Sequence, residues 1–360
     1  MQPTGGKTSW KIGNLIDKYN EELSTLKTLN NGKPIFESRR VNMPMTAEVF
    51  RYYAGWATKI HGETVPARGP FLNYTLRELL RVVAAIVPWN FPLLLASWEV
   101  APALATGNTV VLKPAPWTSL TALRLAEISL ERGLSGGAVN ILTGSASALG
   151  QALVRHPGVA KIALTGSTGT GQEIAREAAG TLKHVTLKWG GKSPNIVLAD
   201  ADPDGAVRGA TTGIFYSKGE VCAAGAQLFV EKKIHDDFMQ KLVDRAKKMQ
   251  PSDPLDPKKR FGALVSQQQM NSMLEYIEEG RAEGAKLVAG VERAQMGKGK
   301  GCFVQPTVFD GVRGDMTIAR EEIFGSVLAA IEFGDIEEAI REANKNLYGL
   351  AVGGLDARYR

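Results

Sequence analysis

Val159–Ala179 reads VAKIALTGSTGTGQEIAREAA. A strand-like apolar run passes through Gly166-Ser167-Thr168-Gly169-Thr170-Gly171 into a stretch of helical composition, QEIAREAA. A strand, a glycine turn and a helix in that order make the layout of a phosphate cradle. Glycines allow close backbone approach, and a helix start presents unpaired N–H groups to negative charge. The run departs from GxGxxG spacing, because Thr168 stands where the second glycine would, and no acidic residue follows about twenty positions later to hold a ribose. An ordinary glycine-rich turn between strand and helix stays open beside the phosphate reading.

Upstream, short apolar runs alternate with helical stretches. VVAAIV from Val82 is a strand, Pro92–Leu104 a helix, TVVLKP from Thr109 a strand, Leu120–Arg132 a helix and AVNILTG from Ala138 a strand. Apolar runs separated by helices predict a parallel sheet covered on both faces, so the class is α/β. Before it, Trp10–Leu29 places apolar residues at helical spacing, and Asn42–Trp56 reads as a second helix packed on the first. His61–Arg77 is rich in turn residues and reads as a hairpin-like excursion outside the core, a candidate assembly surface.

The 360 residues, 44% hydrophobic and 22% charged, are enough for roughly two domains. No run of eighteen apolar residues occurs and the first residues lack the apolar region of a signal peptide, which predicts neither membrane span nor secretion. A cytoplasmic chain is expected, with an organelle lumen left open. Two cysteines make no disulfide framework, and they form no ligand-spaced cluster with the four histidines, so no metal is expected. The net charge of +6 comes from scattered short pairs such as Lys232-Lys233 with acids nearby, a solvated surface rather than a nucleic-acid track.

Three places hold residues suited to chemistry. Cys222 lies in GEVCAAG, where small neighbours leave a thiol room to meet a flat electrophile; a buried structural cysteine is the other reading. Asn90 in VPWNFP is an amide held between two prolines and a Trp, able to donate into a pocket or to satisfy backbone. Lys113 in LKP puts a cation at the carboxyl end of a strand, where α/β sheets bind ligands, or in solvent.

Taken in order, VPWNFP, LKPA, LTGST followed by Gly171, GGKSPN, GEVCAAG and EEIFG resemble the aldehyde dehydrogenase superfamily through nearly the whole chain. The resemblance implies a doubly wound parallel-sheet cofactor domain over 1–187, with 61–77 as a β oligomerisation excursion, and an α/β catalytic domain over 188–360. It implies Cys222 as nucleophile and Asn90 as the side-chain half of an oxyanion hole, with the Cys222 N–H as the other half. Lys113 corresponds to the residue on the adenosine ribose, and Gly166, Ser167 and Gly171 to the turn beside the dinucleotide. Glu322 and Phe324 correspond to residues that place the nicotinamide ribose and ring, and Trp89 to a neighbour of the cofactor pocket. The implied cofactor is NAD, with NADP left open, and the implied substrate a small aldehyde. Trp89 and Phe215 suggest a moderately apolar one.

The sequence also departs from that family. Lys188 stands where the family carries the Glu that activates water for thioester hydrolysis, and a charged lysine accepts no proton. Glu220 is a possible substitute base. Pro116 stands where a Glu often shares the ribose, Ser217, Ala226 and Gln227 replace Asn, Ser and Arg, and Ser326 replaces a Pro. Both ends are shorter than the family pattern, so the catalytic domain is expected to be incomplete, to lack an assembly strand and to expose sheet edges. An acyl-transferring variant and a non-catalytic nucleotide-binding or assembly homologue stand as alternatives to aldehyde oxidation.

Overall fold

The computed structural model describes residues 4–131, 133–290, 293–294 and 301–357. Two compact units form. One runs to Asn30 and resumes over Ser38–Lys188; the other joins Asn31–Glu37 to the chain from Trp189 onward. Segment 31–37, expected within the first domain, therefore packs with the second unit.

In the first unit the apolar runs become five parallel strands: β3 Val82–Ile86, β4 Thr109–Lys113, β5 Val139–Ile141, β6 Lys161–Thr165 and β7 His184–Lys188, in the order β5-β4-β3-β6-β7. The order reverses between β3 and β6, the doubly wound switch at which α/β sheets bind ligands outside the carboxyl ends of strands. Strand period sets the two faces. Val83 and Ala85 pack with the helices Thr4–Lys18, Met43–Ala54 and Pro92–Ala105, whereas Ala84, Ile86, Ile162 and Leu164 pack with Val154 and Ile174 on the other side. A helix at Ala146–Arg155, absent from the sequence reading, supplies Val154. The excursion carries two short antiparallel strands, β1 Thr64–Val65 and β2 Asn73–Tyr74, preceding β3 in the chain, and leaves Phe71, Leu72 and Leu76 more than 70% exposed.

The second unit holds β8 Pro194–Val197, β9 Gln227–Glu231, β10 Lys286–Ala289, β11 Thr307–Asp310, β12 Val327–Phe333 and β13 Gly353–Leu355, in the order β10-β11-β12-β9-β8-β13. Every neighbouring pair is parallel except β10 with β11. Leu228 and Val230 face one core and Phe229 the other, so this sheet is also covered on both sides. Among the described residues no helix is long and apolar enough to cross a membrane, and no three His, Cys, Asp or Glu residues cluster as a metal site.

Candidate active site

In the first unit, β6 ends at Thr165 and the chain turns through Gly166 and Ser167 into the helix Thr168–Ala179. Ser167 is the N-cap: its Oγ accepts the Thr170 N–H at 3.3 Å, satisfying one of the unpaired donors at the helix start. The buried Gly171 donates its N–H to the Ser167 carbonyl at 3.0 Å as the first turn closes. Gly166 donates to the Lys188 carbonyl at 3.0 Å, so the end of β7 braces the turn. A cavity of about 200 Å³ opens beside it, lined by Ile86, Gln151, Val154, Thr170 and Ile174. Its walls come from the end of β3, the helix Ala146–Arg155 and the helix Thr168–Ala179. The helix N-terminus offers unpaired N–H donors to an anion, while the cavity lining includes two carboxylates, Glu173 and Glu177.

The same sheet positions the other residues expected on this side. Lys113 ends β4 at 3% exposure, its Nζ 3.4 Å from the Pro114 carbonyl, and burial lowers its pKa from the ordinary lysine value. The Val87 N–H donates to the Lys113 carbonyl at 3.1 Å, tying VPWNFP to the end of β4. Asn90 lies just beyond β3 at 2% exposure, and the Trp89 ring tilts against Trp117 with centroids 6.5 Å apart. Lys188 ends β7 opposite Thr165 and is half-buried.

In the second unit, Cys222 is half-buried and not in a disulfide. It is the second residue of a turn closed by the Ala224 N–H on the Val221 carbonyl at 3.1 Å, and the Gly225 N–H then reaches the Gly213 carbonyl at 3.1 Å. Gly191 passes so near that a Cβ on it would come within 2.6 Å of the Cys222 carbonyl oxygen. The same glycine donates its N–H to Oε1 of Glu322 at 3.1 Å. Burial pushes the Glu322 carboxyl up, with the Gly191 N–H and Lys192 pulling it back. Phe324 holds φ +56°, a left-handed conformation rare for a bulky side chain, and its carbonyl accepts from Gln269 Nε2 at 2.9 Å. Cys222, Gly191, Glu322 and the loop between them form one cluster within this unit.

Several side chains here escaped the sequence reading or change it. Lys192 is 1% exposed with no hydrogen-bond partner for Nζ, and burial pushes it down to about 7 against the pull of Glu322 and Glu321. Glu220, read as a possible base, is fully buried: one oxygen accepts the Val265 N–H at 3.1 Å and the other lies 2.6 Å from Lys218 Nζ. Both oxygens are thus engaged by internal donors. Phe215, read as an aromatic neighbour of substrate, is fully buried in the core and offers no surface to a ligand. Lys192 lies in the GGKSPN motif and Lys218 four residues before Cys222, but nothing in composition distinguishes a buried lysine from a solvated one.

Known proteins resemble the chain throughout. It is 45% identical over 352 residues to human retinal dehydrogenase 2, covering 96% of this chain and 67% of that protein. It is 45% identical over 349 residues to the mitochondrial aldehyde dehydrogenase of Rattus norvegicus, covering 96% and 66%. The solved NAD+ complex of aldehyde dehydrogenase from Bacillus cereus superposes with a TM-score of 0.96 at 44% identity, over 99% of this chain and 72% of that one. With residues 7–354 matching the pattern of the aldehyde dehydrogenase family, the chain belongs to that family.

Proposed function

We propose that this enzyme oxidises an aldehyde to a carboxylic acid through Cys222, with NAD as the oxidant. The observation that carries the proposal is the placement of Cys222: a half-buried thiol at the head of a short turn, packed against Gly191, in a chain that belongs to this family. The thiolate adds to the aldehyde carbonyl, and the Asn90 amide and the Cys222 N–H donate to the oxyanion that forms. Bound NAD would supply the acceptor for the hydride that this adduct releases, which would leave a thioester on Cys222. Gly166, Ser167 and Gly171 would hold the dinucleotide phosphates, Lys113 the adenosine ribose, and Glu322, Phe324 and Trp89 the nicotinamide end. The buried cation and the capped helix start support that assignment. The B. cereus relative is described as an NAD+ complex.

Hydrolysis of the thioester needs a base, and Lys188 stands in its place. That substitution favours one second reading, in which an added thiol rather than water accepts the acyl group from Cys222. We assign 1–187 to cofactor binding and 188–360 to catalysis, with segment 31–37 packing in the second unit. The exposed apolar residues of the β1–β2 excursion suit a contact between copies of the chain.

Rapid mixing with NAD and an aliphatic aldehyde tests the proposal. A burst of reduced cofactor approaching one per Cys222, abolished in Cys222→Ala, is expected; folded protein without a burst overturns it. Turnover that follows the burst only when a thiol is added identifies acyl transfer, and turnover in water alone excludes it.

A further inference from the structure

The turn that leads to Cys222 is held by charges buried beneath it. Ser217, Lys218 and Gly219 have φ of 52°, 61° and 76°, three successive left-handed residues of which two carry side chains. Left-handed backbone is unfavourable for L-residues and persists only where surrounding contacts enforce it. Here those contacts are internal and ionic. Lys218 Nζ lies 2.6 Å from Glu220 Oε2, with side-chain exposures of 1% and 0%. Lys218 also donates to the Asn31 carbonyl at 3.1 Å and to its Oδ1 at 3.4 Å. The Ser217 N–H reaches Glu37 Oε1 at 3.3 Å, and the second oxygen of Glu220 accepts the Val265 N–H at 3.1 Å. Gly219 is pressed against the Gly325 carbonyl and leaves no space for a Cβ.

We propose that the buried Lys218–Glu220 pair is the positioning device for the nucleophile. It folds residues 217–219 back on themselves and fixes Glu220, the residue from which the Cys222 turn departs. Val221–Ala224 is a single β-turn that follows Glu220 directly and is followed by the Gly225 N–H on the Gly213 carbonyl. A displacement of Glu220 passes directly into Cys222. The pair joins residues two apart, which face away from one another in a helix; the left-handed run is what brings them together. Asn31 and Glu37 explain why segment 31–37 packs with this unit: it holds the underside of the turn.

The proposal rests on Cys222 as nucleophile, and its test is read by a probe that needs no aldehyde. Cys222 and Cys302 are the two cysteines, and burial raises the Cys302 thiol, so iodoacetamide labelling mapped by mass spectrometry reports Cys222 against an internal reference. Lys218→Gln removes the cation in contact with Glu220, and Glu220→Gln removes the anion in contact with Lys218. Each is expected to slow Cys222 alkylation about 10-fold or more and to lower kcat with KM near wild type. The double variant K218Q/E220Q replaces the ion pair by a neutral hydrogen-bonded pair and is expected to recover alkylation to within about 3-fold of wild type. Single variants that react like wild type, or a double variant no better than the singles, overturn the proposal. Should a single variant not fold, Glu220→Asp takes its place: it keeps the charge and shortens the reach, and an unchanged alkylation rate in it overturns the proposal equally. Slowed labelling in a chain with no aldehyde burst supports the positioning role while rejecting the dehydrogenase reading, and normal labelling in a chain with a burst does the reverse.

Discussion

Gly191 lies between Cys222 and Glu322: a Cβ on it would come within 2.6 Å of the Cys222 carbonyl oxygen, while its N–H donates to Glu322 Oε1 at 3.1 Å. One backbone position therefore sets the spacing between the thiol's turn and a carboxylate of EEIFG. Gly191→Ala cannot be absorbed by a flexible side chain, since the atom it meets is backbone. The turn or the loop 189–193 must shift by several tenths of an ångström or more. We expect G191A to fold with a nearly unchanged near-ultraviolet circular dichroism spectrum but to lose about 10- to 100-fold in burst rate. A burst at wild-type rate would show that the close approach has no part in placing the thiol.

Lys192 makes stability depend on pH. Burial lowers it from the ordinary 10.5 to about 7. Between those values the unfolded chain holds a proton that the folded chain sheds, so this group's contribution to stability rises as the pH climbs from 7 to 10 and falls as it drops back. Lys192→Met removes the dependence. The melting midpoint of K192M relative to wild type is expected to be higher at pH 7 than at pH 10, by several degrees. Equal differences at the two pH values would mean that Lys192 keeps its proton in the folded state.

The Ser167 cap predicts a coupled loss. Ser167→Ala removes the acceptor for the Thr170 N–H at the start of the helix Thr168–Ala179. Caps of this kind are worth about 1 kcal/mol, which for a chain of this size corresponds to roughly 1–2 °C in melting midpoint. If this turn holds the dinucleotide, S167A should also weaken NAD binding several-fold, measured by fluorescence titration. A lowered midpoint with unchanged NAD affinity would leave Ser167 as a structural cap and remove it from the cofactor site.

The sequence and the structure agree where local pattern decides conformation. Val82–Ile86, Thr109–Lys113 and Lys161–Thr165 are short apolar runs bounded by turn residues, and strand period alone sends Ala84 and Ala85 to opposite cores. Cys222 stands out because its neighbours are small. Tertiary arrangement accounts for the rest. The helix Ala146–Arg155 hides in ASALGQALVR, whose glycine breaks the pattern, and segment 31–37 joins the second unit only through contacts such as Glu37 with the Ser217 N–H. Lys192 and Lys218 are buried, and nothing in their flanking sequence marks them as such. Burial of a lysine is decided by partners far away in sequence, as Asn31 is from Lys218, and no window along the chain contains both.

Lys188 gives the sharpest division between possible defects. Its backbone has a structural duty, accepting the Gly166 N–H at 3.0 Å at the end of β7, and its half-buried side chain is the one we propose to stand at the place of the general base. Because the hydrogen bond uses only backbone, Lys188→Glu should leave the Gly166 turn and NAD binding intact while supplying a general base. Such a base contributes typically 10²- to 10⁴-fold to the step it serves. If deacylation limits turnover, the burst should be unchanged and the steady rate after it should rise at least about 10-fold in water. A fall in the burst itself would place the effect of Lys188 on acylation, because exchanging a cation for an anion disfavours the thiolate. No change in either phase would mean that the missing carboxylate is not what limits this enzyme.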